Sequence, residues 1–234
     1  MAILGGEQKA LDRQIFRLGV PSMVASLSVP LIGIVDTIFV GHLPDVAFLG
    51  AVSVGSVIFD VLYWGLGFLR MGTTALTAQY FGAGQPRNCT GVLFQAGIIA
   101  LLAGLFLALF RAPLADLGFW LAGGSDDVQM WGKQYLAVRM LGAPLVLLSF
   151  VLMGFFRGLA DAMTPMWLTI VVNVVNVVAD YALIYGKWGA PELGVVGAAW
   201  ASVFATGTGL VFGFGILLFK YRTYLVERPQ NLLD

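Results

Sequence analysis

Three aspartates stand inside runs of apolar residues: Asp36 in "VDTIFV", Asp60 in "VIFDVLYW" and Asp180 in "VVNVVNVVADYALIYG". A carboxylate at bilayer depth costs about 3 kcal/mol on insertion scales, so each needs a partner, a water-filled cavity or a function. Asn173, Asn176 and Asp180 fall at about 0°, 300° and 340° around a helix of 100° per residue, which makes them one narrow polar stripe. Two amide oxygens and a carboxylate are hard donors suited to Na⁺ or a proton. The chain has one histidine, His42, and one cysteine, Cys89, too few for a thiolate or imidazole metal site or an internal disulfide. The alternative duty for the stripe is hydrogen bonding between helices.

The elements that must position these residues follow from composition. Of 234 residues 59% are hydrophobic and only 11% charged, which excludes an ordinary soluble domain and places the chain among multi-pass membrane proteins. Formal net charge is zero, so nothing in the charge balance points to nucleic acid. Apolar runs long enough to cross the hydrocarbon layer lie near 15–42, 47–75, 88–111, 133–156, 164–186 and 194–219. The expected fold is therefore an all-α integral membrane bundle of six transmembrane helices, forming a single domain over 1–234. The stretch 220–234 reads as a cytoplasmic linker or tail. No cleavable signal peptide is expected, because the first apolar run is far longer than a signal core.

With both ends inside, Lys9, Arg13, Arg17, Arg70, Arg87, Arg157, Lys220, Arg222 and Arg228 fall on the cytoplasmic side, while Arg111, Lys133, Arg139 and Lys187 fall outside. This excess predicts an N-in, C-in topology. At 1.5 Å per residue, Asp36 and Asp180 come out roughly 30 and 24 Å from the inner interface, both in the outer half, and Asp60 near the middle. The "FGAGQPRN" stretch at 81–88 reads as a loop. The stretch "APLADLGFWLAGGSDDVQMW" reads as a short interfacial helix, a Gly-Gly break and a helix start at Ser125.

Secondary candidates surround the carboxylates. Pro21 and Pro30 each remove a backbone hydrogen bond from the first span, which makes a bend there inexpensive, or leaves a static kink satisfied by nearby serines. Ser202 and Thr206 share one face of the last span. Tyr135 and Arg139 also lie four apart, and Arg139 is either an interfacial anchor or the partner of an outer-half carboxylate. No Ser/His/Asp set and no phosphate-binding loop is present, so an enzyme is not expected.

Taken together, "VDTIFVGHLPDVAFLGAVSVGSVIFDVLYWGLGFLRMGTTALTAQYFGAG" (35–84), "YLAVRMLGAPLVLLSFVLMGFFRGLADAMTP" (135–165) and "NVVNVVADYALIYG" (173–186) give a chain that resembles the N-terminal half of multidrug and toxic compound extrusion (MATE) transporters, in the branch related to DNA-damage-inducible protein F. The resemblance implies one six-span lobe of a two-lobe, 6+6 transporter. It further implies export of drug-like, often cationic or amphipathic compounds in exchange for H⁺ or Na⁺ across a prokaryotic plasma membrane. Asp36, Asn176, Asp180 and Ser202 match its cation or proton-coupling positions, with Na⁺ at Asp36, Asn176 and Asp180 as one option. Asn173, Tyr135, Arg139, Asp60 and Thr206 are accessory candidates; Pro21 matches a proline assigned a bending role, and Asp60 has no matching carboxylate. The partners implied are a second six-span lobe, the lipid bilayer and a small-molecule substrate, with no cofactor beyond the coupling ion. The same resemblance leaves open a lipid-linked precursor flippase, or a lobe with a structural role that transports nothing alone.

Overall fold

The computed structural model describes residues 16, 19–27, 33–222 and 224, and every regular element among them is helical. Helical residues 19–27 and 33–41, together called α1, precede α2 (Val46–Gly65), α3 (Phe68–Gly82), α4 (Pro86–Leu109), α5 (Arg111–Ala122), α6 (Asp126–Leu141), α7 (Ala143–Gly158), α8 (Met163–Tyr185) and α9 (Val195–Lys220). Pro30, Lys9, Arg13, Arg17, Arg228 and most of the 220–234 tail lie outside the described residues.

Four units are long and apolar enough to cross a bilayer: Val46–Gly82, Pro86–Leu109, Met163–Tyr185 and Val195–Lys220. The α6 and α7 pair, bent by 51°, makes a fifth among the described residues. The expected first span, 15–42, lies partly outside them. The expected span at 133–156 is two helices, because Gly142 ends α6 and Pro144 opens α7 without an N–H to give to the preceding turn. Within Val46–Gly82 the chain also breaks, at Leu66 and Gly67, and α3 then runs on to Gly82. The loop expected at 81–88 shrinks to Ala83–Gln85, since Pro86 already begins α4.

Local chemistry sets the other ends. The Asp45 carboxylate accepts from Ala47 N at 2.8 Å and caps α2, and Ser125 caps α6 after the Gly123–Gly124 break. Gly186 ends α8 in the left-handed region, φ +61°, where a side chain would be strained.

α7 is the centre of the bundle, packing on α3, α4 and α9, and it buries Leu147, Val151, Leu152, Phe155 and Phe156. Its seam with α3 has no room for side chains. A Cβ on Gly154 would stand 2.7 Å from the Arg70 carbonyl, and one on Gly158 would stand 2.5 Å from Thr77 Cβ. Two glycines four apart thus let two backbones touch, as in membrane helix pairs of the small-xxx-small type. Large apolar side chains such as Leu109, Val211 and Phe219 point outward and are exposed, as lipid-facing residues would be.

Candidate cation site and its cavity

α8 packs chiefly on α9 and carries the stripe inward: Asn176 and Asp180 are fully buried, whereas Asn173 is half-buried. From α1, Asp36, 3% exposed, brings its carboxylate toward Asp180, Asn176 and Ser202. The Tyr185 hydroxyl donates to the Phe39 carbonyl at 2.7 Å and fixes α8 to α1 just beyond the two aspartates. These carboxylates come from helices 144 positions apart in sequence, and this is the only region of the described lobe where two acids converge in the buried interior.

Their polar atoms are not internally satisfied. Asp36 Oδ1, both oxygens of Asp180, and Asn176 Oδ1 and Nδ2 are buried without a well-formed hydrogen bond. Buried polar atoms carry a cost of about 1–3 kcal/mol each when left unpaired, which makes this cluster a candidate site. Four orphaned oxygens, three from carboxylates and one from an amide, fit a Na⁺ ion by donor type, and the same carboxylates fit a proton. No group of three or more His, Cys, Asp or Glu able to hold a metal ion occurs among the described residues.

In front of the cluster lies a cavity of about 610 Å³, lined among others by Asp36, Asn176, Ser202, Thr206, Arg139 and Asp60. Asp180 is not in its wall and sits behind Asp36 and Asn176. Arg139 points into this space. Its guanidinium donates from Nη1 to Ser202 Oγ at 2.6 Å and lies 4.2 Å over the Phe59 ring, and among the described residues no carboxylate comes within ion-pair distance of it. A hydroxyl and an aromatic face hold Arg139, with the Asp36 and Asp60 carboxylates within Coulombic reach of it. Tyr135 is fully buried with its hydroxyl 3.3 Å from Ser56 Oγ, and the Thr206 hydroxyl is taken up by the Ser202 carbonyl at 2.8 Å. Asp60 is exposed on the cavity side of α2. Pro21 is buried within the helical residues 19–27, so it is part of the bundle's packing and not of the cavity wall.

Sequence reasoning named Asp60 but missed the rest of the α2 wall to which it belongs. Ser56, Phe59, Asp60 and Tyr63 all line the cavity, at spacings of three, four and seven, which is the signature of one helix face. The mixed polarity of that face was the available signal. Phe59 stacks on Tyr63 with centroids 3.9 Å apart, and Tyr63 meets Phe150 edge-on at 6.5 Å.

The chain is similar to known proteins at three levels. The chain is 39% identical over 213 residues to DNA damage-inducible protein F of Escherichia coli, covering 91% of this chain and 45% of that protein. It is 30% identical over 226 residues to a probable multidrug resistance protein NorM of Thermotoga maritima, covering 96% and 46%. Among solved structures, a MOP superfamily transporter from Pyrococcus furiosus superposes with a TM-score of 0.80 at 26% identity, over 90% of this chain and 46% of that one. The chain therefore spans about half the length of the proteins it matches. The MatE family model matches residues 21–182, a segment that takes in Asp36, Asn176 and Asp180 and stops short of Ser202, and the chain belongs to the MatE family of membrane transporters.

Proposed function

We propose that this chain supplies the first six-span lobe of a secondary exporter, which moves drug-like, cationic or amphipathic compounds outward in exchange for H⁺ or Na⁺. The observation that carries the reading is the meeting of Asp36 and Asp180, with Asn176 between them and their oxygens unsatisfied. Two carboxylates this close repel each other when both are ionised, and a cation bound there supplies the missing positive charge. Protonation relieves the same repulsion. H⁺ and Na⁺ therefore compete for one site, held by Asp36, Asn176 and Asp180.

The remaining residues have positioning duties. Ser202 is engaged by Arg139, so it orients that guanidinium toward the cavity. Tyr135 and Asn173 back the cluster, and Asp60 gives the cavity mouth an acidic group for cationic substrates. Pro21 is the bending point of α1, which would carry Asp36 toward or away from Asp180 as the site fills. Efflux is then coupled because the two access states bind cation and substrate differently.

A second six-span lobe completes the path, since a single lobe cannot enclose a passage and the relatives are about twice as long. The lobe lies N-in and C-in in the plasma membrane of a prokaryote. The test is efflux of ethidium from proteoliposomes holding the complete transporter, with Na⁺ and pH gradients imposed separately. Loss of gradient-driven efflux in Asp36→Asn and Asp180→Asn supports the site, and retained coupling in both variants overturns it.

A further inference from the structure

A second cavity of about 380 Å³ adjoins the first and shares Val146, Phe150, Val172 and Thr206 with it. Among the described residues its only ionisable wall residues are Arg70 of α3 and Arg157 of α7, and no acidic one lines it. Both arginines are half-buried, and among the described residues neither forms an ion pair or a side-chain hydrogen bond. Arg70 instead lies over the Phe150 ring at 5.5 Å.

Their proximity is imposed by the backbone. Gly154 presses against the Arg70 carbonyl, and Arg157 follows it within one turn, so the α3/α7 seam brings two like charges into Coulombic reach. Such convergence at a partly dehydrated site costs free energy unless an anion answers it. Guanidinium groups present paired N–H donors that match a carboxylate or phosphate.

The aromatic residues join this basic end to the first cavity. Arg139, Phe59, Tyr63, Phe150 and Arg70 form a continuous ladder, each member in ring or cation–π contact with the next. A flat apolar body laid along it would reach the basic chamber at one end and the acidic cavity at the other.

We propose that Arg70 and Arg157 form an oxyanion subsite for exported amphiphiles, so that the substrate range includes molecules with a carboxylate or phosphate on an aromatic body. The inference rests on the exporter reading above but concerns binding, which needs no ion gradient.

The test is equilibrium binding of two fluorescent probes, 1-pyrenebutyrate and the neutral 1-pyrenebutanol, to the full-length transporter in phosphatidylcholine nanodiscs. The carboxylate binds at least roughly tenfold more tightly than the alcohol in the unaltered protein. In the Arg70→Gln/Arg157→Gln double variant this preference disappears, with the alcohol's affinity unchanged. Arg70→Lys/Arg157→Lys keeps most of it. Equal affinities for both probes in the unaltered protein overturn the proposal without recourse to any variant, and so does equal loss of both probes in the double variant. If phosphatidylglycerol in the nanodisc displaces pyrenebutyrate and co-purifies only with the arginines intact, the subsite holds a resident lipid headgroup and the substrate assignment is overturned. Loss of coupling in the Asp36 and Asp180 variants is read separately, by gradient-driven ethidium efflux, so the two readings fail independently.

Discussion

The Tyr185 hydroxyl donates to the Phe39 carbonyl at 2.7 Å, linking the C-terminal ends of α8 and α1. Phe39 lies in the last turn of its helix, and its carbonyl, which also accepts from His42 N at 3.3 Å, takes its shorter bond from the tyrosine. Asp36 is three residues behind Phe39 and Asp180 five behind Tyr185, so this clasp sets the separation of the two carboxylates. Tyr185→Phe removes it while keeping the edge-on ring contact with Phe39. We expect a loss of about 1 kcal/mol in stability, read as a lower unfolding midpoint, together with weaker Na⁺ binding.

The competition between H⁺ and Na⁺ proposed for the cluster has a signature in Na⁺ titrations of the complete transporter at several pH values. Below the pH at which the pair takes up a proton, Na⁺ affinity should fall by about tenfold per pH unit, as expected when one proton excludes one cation. Asn176→Leu removes the amide oxygen but leaves both carboxylates. It should weaken Na⁺ binding and leave proton-driven efflux in place, measured with a pH gradient in Na⁺-free buffer.

At the opposite end of the lobe, Asp161 joins the α7–α8 turn to the end of α9. Its carboxylate accepts from Lys220 Nζ at 2.7 Å, Tyr221 OH at 2.6 Å, Thr164 Oγ1 at 2.6 Å and the backbone N–H groups of Met163 and Thr164. Burial works against its charge, but the bonds from Lys220, Thr164 and Tyr221 prevail and hold its pKa down to about 2. A carboxylate of depressed pKa stabilises the fold above its unfolded value of about 3.9, and that contribution is lost as pH falls through about 2. Asp161→Asn should cost about 1–2 kcal/mol at neutral pH, and the gap from the unaltered protein should close in thermal unfolding below about pH 3.

The α3/α7 seam gives a steric test. Gly158→Ala puts a methyl carbon 2.5 Å from Thr77 Cβ, and Gly154→Val sets a branched side chain against the Arg70 carbonyl. Each should destabilise by about 1–3 kcal/mol or more, through overpacking. Gly215→Ala, within α9 and with nothing within 4 Å of an added Cβ, is the matched control and should be neutral or stabilising by up to about 1 kcal/mol.

The buried pair was legible because the energetics of lipid make intramembrane acids rare, and helical angle alone puts Asn176 and Asp180 on one face. Depth and angle do not tell which acid faces a void. Asp36 and Asp60 are in the cavity wall, and Asp180 is not. The break at Gly142 escaped the hydropathy reading because apolar length is blind to a proline at a helix start. For Arg139 the residue types alone offer an interfacial anchor or a carboxylate partner. A hydroxyl 63 positions away, on another helix, took that place, a choice made by packing that no local pattern encodes. Asp161 was seen only as part of a polar turn, since its strongest partners lie 59 and 60 positions downstream.

The 51° turn between α6 and α7 has a consequence for how such a protein diversifies. Arg139 precedes the turn and Val146 and Phe150 follow it, yet all three border the same hollow. The space is thus framed by a change of course in the main chain as well as by small side chains. A hollow framed in this way persists when its lining is exchanged, so new ligand preferences can be acquired by replacing single wall residues while the lobe keeps its shape.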